Sequence, residues 1–346
     1  MAKKKVAKGK PLPAVMLDLI IGYWVSQLVH AAARLGLADL MKGGPKSPAD
    51  LSRAVGADPQ TLYRMLRALA GVGVFAERKD GRFALTPLGA TLRSDRPDSM
   101  RAFAIMMVDD HWVEAWTDVL ESIKTGQIAF DRVHGLKLFD YFGKHPEKAR
   151  EFGEAMTSIS GTENPVVTAA YDFSKVGTLV DVGGSHGHLL AAILKANRKL
   201  KGVLFDLPQV LDQARKAPFV NDRAIAGRLE LTPGDFFQSV PAGADAYIMK
   251  YIIHDWDDDL CVKILENCRR AMAPNGRVLV VDIVIPPGND PHWGKLLDIN
   301  MLVGPGGRER TRSEFAQLFK RAGLKLKRII PTASPLSIVE GVSDSR

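Results

Sequence analysis

The sequence predicts an α/β protein in which a doubly wound sheet follows an all-helical region. Two patterns predict this class. From residue 177 onward, strand-like segments such as TLVDVGG alternate with helix-like segments such as HLLAAILKAN, and alternation of this length is typical of a doubly wound parallel sheet. Before residue 170, apolar residues recur mainly at helical spacing.

A first domain is predicted over residues 13–105. Apolar side chains at helical spacing predict an amphipathic helix within residues 13–40 that ends near Leu35-Gly36. Ser47-Pro48 and Asp58-Pro59 each place a capping side chain before a proline, a combination that starts helices. Two short strands follow around the turn pair Asp80-Gly81. Helix, turn, helix and hairpin in this order are the winged-helix pattern.

This winged-helix segment has two candidate roles. It could bind DNA, with Arg64 and Arg67 reaching a groove, or it could be a dimerisation module of the same shape. Acidic residues are interspersed among the arginines, so no strong basic patch forms. These acidic residues are Asp50, Asp58, Glu77 and Asp80. We therefore favour dimerisation and expect no nucleic-acid partner.

The net charge of +8 is concentrated at one end of the chain. Five lysines lie within MAKKKVAKGK, so the rest of the chain is close to neutral. We predict that residues 1–12 are a basic, disordered, solubilising tail, with contact to nucleic acid as the alternative.

The expected compartment is the cytoplasm. The tail lacks the apolar core and cleavage site of a secretory signal. The apolar stretch that follows is interrupted by Asp18, Gln27 and His30, which argues against a membrane span. Cys261 and Cys268 lie seven residues apart in one predicted helix, so we expect two buried thiols rather than a disulfide or a metal pair.

The second predicted domain covers residues 106–346 and begins with a helical bridge. Aromatic side chains of this bridge are candidates either for a core or for the wall of a pocket. They are Trp112, Trp116, Phe139, Tyr141, Phe142 and Phe152.

Three successive strand ends then carry candidate ligand-binding residues. The loop VGGSHG follows the first strand, where the glycines, Gly183 among them, let the backbone approach a cofactor. Asp206 ends the second strand, where a carboxylate can accept from two ribose hydroxyls; the alternative is a cap for the next helix. Asp235 follows the third strand and precedes Phe236, a pair suited to an exocyclic amine and a purine ring. Together these features indicate an adenosine ligand.

The glycine loop also excludes other nucleotide sites. It has neither the Gly-Lys-Ser/Thr of a P-loop nor the Gly-x-Gly-x-x-Gly of a dinucleotide fold. Because pyrophosphate favours a tight glycine turn at a helix N-terminus, this looser loop favours an adenosine ligand without phosphate, such as S-adenosylmethionine.

The order of motifs resembles the class I S-adenosylmethionine-dependent O-methyltransferases of the caffeate, hydroxyneurosporene and acetylserotonin type, including bacterial antibiotic-tailoring members. The matching segments are LVDVGGSHG, FDLPQV, GDFF, KYIIHDWDD, VVDIVIP and GGRERT, and the resemblance covers nearly everything after the tail. It implies a Rossmann-like methyltransferase domain, an N-terminal winged-helix dimerisation domain, a homodimer and a metal-independent reaction. Two positions depart from the pattern: the loop has Ser-His where glycine and one further residue are usual, and Asp282 stands where plant members carry Glu.

The resemblance also assigns roles to individual residues. It implies cofactor contacts at Ser160, Gly183, Asp206, Leu207, Asp235, Phe236 and Lys250. It implies substrate contacts at Phe152, Met156 and Met301. It implies His254 as the catalytic base, oriented by Asp282 and Glu309.

A histidine suits this chemistry. A phenol has a pKa of about 10, an imidazole of pKa about 6.5 can accept its proton, and a carboxylate on the second ring nitrogen fixes the tautomer. The alternative for His254 is a cap for the next helix. Asp255 and Asp257–Asp259 are expected to cap and charge that helix, not to bind a metal. His186 and His188 are expected at solvated loop positions, with cofactor contact as the alternative.

The sequence therefore predicts a homodimeric O-methyltransferase that uses S-adenosylmethionine to methylate a hydroxyl of an aromatic or polyketide-like small molecule. One alternative uses the same cofactor for hydroxylation or decarboxylation of an aromatic polyketide, and an intact set of His254, Asp282 and Glu309 argues against it. A remote alternative is a winged-helix DNA-binding regulator, which leaves the strand-end acids unexplained.

Overall fold

The computed structural model describes residues 10–344, so the first nine residues of the predicted basic tail lie outside the described part of the chain. The packing divides the chain into two compact units. The first contains the described residues up to Thr117 together with Phe139–Thr162, and the second contains Asp118–Leu138 together with residues 163–344. The units are defined by packing alone, so the domain boundary at residue 105 stays a prediction.

The N-terminal half of the chain is helical apart from one hairpin. Its elements are α1 (Leu12–Ile20), α2 (Gly22–Arg34), α3 (Leu37–Leu40), α4 (Pro48–Val55), α5 (Pro59–Gly71), β1 (Phe75–Glu77), β2 (Phe83–Leu85), α6 (Arg101–Met106), α7 (Asp110–Thr117), α8 (Val119–Thr125), α9 (Ala129–His134), α10 (Leu138–Lys144) and α11 (Pro146–Ala170). Helices α8 and α9 belong to the second unit, and α11 contributes residues to both units.

The structure confirms the predicted helix–turn–helix–hairpin. The Ser47 side chain caps α4 by accepting from the amide of Asp50 (3.1 Å). Asp58 caps α5 in the same way through the amide of Thr61 (2.8 Å). Strands β1 and β2 pair antiparallel, with Gly81 at φ +74° in the turn. The core of this unit includes Leu37, Leu51, Leu66, Phe75 and Phe83.

The predicted helix end near Leu35-Gly36 is confirmed, because α2 ends at Arg34 and Gly36, at φ +64°, cannot continue a helix. The single helix expected before that point is instead two helices, since α1 ends at Ile20 and α2 begins at Gly22. With a mean hydropathy of 1.6, Leu12–Arg34 is a candidate membrane span by length and composition, a test that core helices and signal sequences also pass. The polar residues within it therefore do not by themselves exclude a span.

From residue 178 strands and helices alternate. The elements are β3 (Thr178–Val182), α12 (His188–Ala196), β4 (Lys201–Asp206), α13 (Pro208–Ala214), β5 (Leu229–Pro233), β6 (Ala246–Lys250), α14 (Asp258–Ala271), β7 (Arg277–Ile285), α15 (Trp293–Val303), β8 (Arg310–Thr311), α16 (Arg312–Arg321), β9 (Leu324–Pro331) and β10 (Leu336–Ser343).

These strands form one twisted sheet in the order β5-β4-β3-β6-β7-β10-β9, with β8 beside the end of β7. Strands β3 to β7 are parallel, as predicted. At one edge, which the predicted alternation did not cover, β10 is antiparallel to both β7 and β9. The short turn at residues 332–335 joins β9 to β10. A connection of that length can join antiparallel strands but not parallel ones, which need a longer crossover.

Helices cover both faces of the sheet, which is the doubly wound arrangement. One apolar layer joins strand residues such as Ile248 to α12 and α13, and the other joins residues such as Val280 to α14 and α16. Cys261 and Cys268 are buried free thiols in the second layer, as predicted. Because β3 to β7 are parallel, their carboxyl ends meet at one edge of the sheet.

Gly89 provides a test of the packing within the first unit. Gly89 lies buried in a 3-10 turn at Gly89–Leu92, and a Cβ there would collide with the carbonyl oxygen of Val74. We expect Gly89→Ala to lower the thermal unfolding midpoint, because overpacking costs about 1–3 kcal/mol.

The matched control is Gly71→Ala, since Gly71 ends α5 at an exposed position where a Cβ meets nothing within 4 Å. It should leave the midpoint unchanged or raise it, because alanine restricts the unfolded chain by about 0.4–1 kcal/mol. Equal shifts of the two variants in a thermal melt would contradict the packing described for Gly89.

Candidate active site

The polar strand ends predicted from sequence do meet at one edge of the sheet. Asp206 ends β4, and its carboxylate accepts from the amides of Ser185 (2.8 Å) and Leu207 (2.7 Å). The acid is thereby tied to the glycine loop that follows β3. Burial raises the pKa of Asp206, against these backbone hydrogen bonds, which lower it. A buried carboxylate at a strand end, beside a glycine loop, is the arrangement expected for a ribose.

The loop itself needs glycine for two reasons. Gly183 has a φ of +66°, a conformation that a side chain disfavours. A Cβ on Gly183 would also lie 2.6 Å from Cδ1 of Ile252, in the loop after β6. The glycine therefore allows the loops after β3 and β6 to approach each other. Of the flanking histidines, His186 lies 3.4 Å from Oε1 of Gln213 and His188 is exposed.

Asp181 is a buried acid beside this loop to which the sequence argument gave no role. It lies in β3, and burial raises its pKa to about 7, more than nearby Lys250 lowers it. Its Oδ2 atom has no hydrogen-bond partner among the described residues. A Cβ on Gly184 would lie 2.7 Å from this carboxyl. The acid in the otherwise apolar strand segment LVDV was the sequence feature that could have indicated a functional role for Asp181.

The residues assigned to an adenine lie next to β5. Asp235 accepts from the amide of Phe237 (2.8 Å), which leaves carboxylate capacity for a further donor. The rings of Phe236 and Phe237 are 4.7 Å apart, edge to face, and Phe237 contacts Trp256 in the same way at 4.9 Å. An acid beside an aromatic cluster can accept from an amine and pack against a flat ring.

Lys250 ends β6 and is buried in a polar cluster. Its Nζ donates to Oδ1 of Asn164 (2.9 Å) and lies 3.4 Å from Oε2 of Glu163. The other carboxylate oxygen of Glu163 accepts from the hydroxyl of Tyr251 (2.6 Å). Burial lowers the pKa of Lys250, and Glu163 opposes that effect. Residue spacing did not indicate Glu163, although a buried lysine requires such a partner.

His254 lies in a short 3-10 turn, Ile253–Asp255, immediately after β6. It is buried, and its Nδ1 lies 2.7 Å from Oε1 of Glu309. Its Nε2 lies 3.4 Å from Oδ1 of Asp255. Each ring nitrogen therefore faces a carboxylate, and Glu309 makes the direct hydrogen bond.

The roles of the two other nearby acids differ from those expected. Asp255 does not cap α14: it faces His254, whereas Asp257 caps that helix through the amide of Leu260 (2.9 Å). Asp282 lies fully buried in β7, and the hydrogen bond that it accepts comes from the amide of Tyr251 (3.1 Å). The sequence could not show either outcome, because both depend on how the chain turns after β6.

Burial and charge oppose each other at His254. Burial disfavours the imidazolium, but Asp255, Glu309 and Asp282 outweigh it and raise the pKa of His254 to about 10. Burial in turn raises the pKa of Asp255 to about 6 and that of Asp282 to about 8. The expectation of an imidazole with an ordinary pKa is therefore wrong, because three acids surround one buried ring.

The residues implied for substrate contact lie in different parts of the chain. Met301 is buried in α15, and its carbonyl accepts from the amide of Gly306 (2.8 Å). Phe152, Met156 and Ser160 lie on α11 in the first unit. Contact of these four residues with a ligand stays a prediction. Within residues 10–344, no group of three or more His, Cys, Asp or Glu residues could hold a metal ion.

Comparison with known proteins gives the family. The pattern of the O-methyltransferase domain matches residues 116–325, and that of the O-methyltransferase dimerisation domain matches residues 17–95. The chain is 44% identical over 340 residues to the phenazine O-methyltransferase PhzM of Lysobacter antibioticus, an alignment that covers 98% of this chain and 99% of that protein.

A second relative and a solved structure agree with this result. The chain is 40% identical over 327 residues to the mitomycin biosynthesis 6-O-methyltransferase of Streptomyces lavendulae, covering 93% of this chain and 92% of the relative. The crystal structure of CalO1, a methyltransferase in calicheamicin biosynthesis in its SAH-bound form, matches with a TM-score of 0.85 at 40% identity, over 96% of this chain and 98% of the other. The chain therefore belongs to the S-adenosylmethionine-dependent O-methyltransferases of small molecules that carry an N-terminal dimerisation domain.

Proposed function

We propose that this chain methylates a hydroxyl group of an aromatic or polyketide-like small molecule, with His254 as the general base. The observation that carries the proposal is the buried pair of His254 and Glu309, at 2.7 Å. It lies after β6, on the same sheet edge as the glycine loop and Asp206. The relatives named above support the substrate class, because they act in phenazine and mitomycin chemistry.

The strand-end residues fit S-adenosylmethionine. The glycine loop has no space for side chains at Gly183 and Gly184, and a strand-end acid suits the ribose. We assign the cofactor contacts to Ser160, Gly183, Asp206, Leu207, Asp235, Phe236 and Lys250. When bound, this cofactor supplies an electrophilic methyl group, so the protein needs mainly to align the substrate and to accept its proton.

His254 and Glu309 together can accept the proton that the substrate hydroxyl loses. Glu309 holds Nδ1 of His254 at 2.7 Å, so Nε2, whose contact with Asp255 is longer at 3.4 Å, is the nitrogen that accepts the proton of the substrate hydroxyl. A phenol has a pKa of about 10, and the surrounding acids raise the pKa of His254 to about 10. Because these acids stabilise the imidazolium, they favour transfer of the phenol proton to His254 once the ring is neutral. The same pair favours methyl transfer over the alternative reactions of hydroxylation and decarboxylation, because methylation of a hydroxyl requires removal of its proton.

We also propose a homodimer assembled through the first helices. Helices α1 and α2 expose a run of large apolar side chains that no described residue covers. Burial of one such side chain contributes about 1.5–3 kcal/mol. The exposed residues are Leu12, Met16, Leu17, Leu19, Ile20, Tyr23 and Trp24. The match to a dimerisation domain from residue 17 supports a second copy of the chain, rather than a membrane, as the partner. The proposed compartment is the cytoplasm, where Cys261 and Cys268 stay reduced.

The first test separates cofactor binding from chemistry. Asp206→Ala should lose binding of S-adenosylmethionine in calorimetry, because the ribose hydroxyls lose their acceptor. His254→Ala should keep that binding and lower kcat by about 10²–10⁴-fold, the usual contribution of a general base. Turnover is measured by mass spectrometry with hydroxyphenazines and a wider library of hydroxylated aromatics. Near-normal turnover by His254→Ala would place the base elsewhere.

The second test concerns pH. A base must be neutral to accept a proton, so methyl transfer should rise with pH toward the pKa of His254, about 10. Glu309→Gln removes a negative charge that stabilises the imidazolium, so the pKa of His254 falls and the rise moves to lower pH. His254→Ala serves as the control, because its profile reports only ionisation of the substrate. A Glu309→Gln profile that coincides with the wild-type profile would contradict the assigned pair.

The third test concerns assembly. Light scattering should report about twice the chain mass for the wild type. Ile20→Glu combined with Trp24→Glu should shift the protein toward monomer, because charges then oppose burial of the apolar face. Leu88→Glu, at an exposed position outside α1 and α2, should remain dimeric. A monomeric wild type, or a dimeric double variant, argues against this interface.

A further inference from the structure

Tyr251 occupies an unusual backbone position between β6 and the turn that carries His254. Its φ is +59°, a left-handed conformation that a bulky side chain rarely adopts. Such a conformation persists only where the surroundings impose it, and it clusters at functional sites. The amide of Tyr251 donates both to Oδ1 of Asp282 (3.1 Å) and to the carbonyl oxygen of Val281 (3.2 Å).

The side chain of Tyr251 is fixed as firmly as its amide. Its ring stacks on the imidazole of His254, with centroids 5.0 Å apart and an interplanar angle of 26°. Its hydroxyl donates to the buried carboxylate of Glu163 at 2.6 Å. Lys250 lies 3.4 Å from the other oxygen of that carboxylate. One residue is therefore anchored at its backbone, along its ring and at its hydroxyl, and its ring face meets the proposed base.

We propose that Tyr251 is a positioning residue for His254, and that Asp282 acts on the base through the backbone of Tyr251 while Glu309 acts on it directly. This inference rests on the proposed role of His254. Family resemblance implies that Asp282 orients His254 directly. Here Asp282 instead stabilises the left-handed backbone conformation of Tyr251, which places the tyrosine ring against His254.

The two contacts of the imidazole restrain different motions. The hydrogen bond to Glu309 fixes where Nδ1 lies, but it still allows the ring plane to tilt about that bond. The face of Tyr251 restricts this tilt, because stacked rings keep a preferred separation and angle. The ring nitrogen Nε2 of His254 then points in one fixed direction. An electron-rich ring face also favours the imidazolium that forms when the proton is accepted.

The contacts of Asp282 support an indirect role. Its Oδ1 accepts the amide of Tyr251 (3.1 Å), whereas Nδ1 of His254 bonds to Glu309 and Nε2 faces Asp255. Burial raises the pKa of Asp282 to about 8, against the effect of His254. The ionisable groups that face it are His254, Glu309, Asp255 and Arg310.

The test uses the full-length protein with labelled histidine and needs no substrate. The chain has eight histidines, and His254→Ala identifies the imidazole signal of the base in the NMR spectrum at pH 7. Tyr251→Leu should move that signal, because the ring current of the stacked tyrosine is lost. Tyr251→Phe keeps the ring and should leave the signal near its wild-type position.

Asp282 has its own matched pair of variants. Asp282→Asn keeps an oxygen that accepts the Tyr251 amide, so the signal should stay near the wild-type position. Asp282→Leu removes this acceptor and should move the signal in the same direction as Tyr251→Leu. If Tyr251→Leu fails to fold, Tyr251→Asn replaces it, because asparagine tolerates the left-handed conformation. Binding of S-adenosylmethionine by each variant verifies that the fold is intact.

Turnover gives a second readout. With a hydroxylated aromatic that the wild type methylates, Tyr251→Leu should lower kcat by up to about 10²-fold, the cost of a misplaced catalytic group, with KM nearly unchanged. Tyr251→Phe should recover most of that loss.

The outcomes distinguish this inference from the proposed function. An unmoved His254 signal in Tyr251→Leu, or equal shifts in Asp282→Asn and Asp282→Leu, overturns the positioning role even where His254 is the base. Full turnover by His254→Ala overturns the base instead, whatever the NMR signals show.

Discussion

The guanidinium of Arg310 is the group on which the arrangement around His254 depends. It is fully buried and donates to the carbonyl oxygen of Ile253 (2.9 Å) and to the carboxylate of Asp258 (2.7 Å). A buried charge is tolerated only when it is paired and its hydrogen-bonding capacity is used. The hydrogen bonds of this guanidinium therefore hold the loop before α16 against the turn after β6. Glu309, the preceding residue, is thereby brought to His254, 55 positions away in sequence.

Close packing reinforces this docking. The amide of Arg308 donates to the carbonyl oxygen of His254 (2.8 Å), and a Cβ on Gly307 would collide with that same oxygen. The glycine is required because two stretches of backbone touch there. The result is a site in which Glu309 and Asp255 face the two nitrogens of one buried imidazole. Such electrostatic crowding is common where a pKa must be moved to suit a reaction.

Much of the fold could be predicted, because its signals are local. Helix caps at Ser47 and Asp58, the turn at Gly81 and the alternation of strands and helices all depend on neighbouring residues. The strand-end positions of Asp206 and Lys250 follow from the geometry of parallel strands. The antiparallel edge formed by β9 and β10 was missed, because the argument from alternation stopped at the last helix-linked strand. Hydrophobic periodicity does not show how such strands are ordered.

The sequence by itself determined the fold class and the adenosine-type strand ends, because residue type and spacing are enough for both, and its resemblance to a known family implied His254 as the candidate base. Only the tertiary structure decided which group each acid contacts. Glu309 reaches the imidazole, Asp255 faces its second nitrogen and Asp282 holds the amide of Tyr251. The physical reason is that a carboxylate's partner and pKa depend on distances and burial set by distant segments. No local pattern encodes the docking of residues near 309 onto a turn near 254.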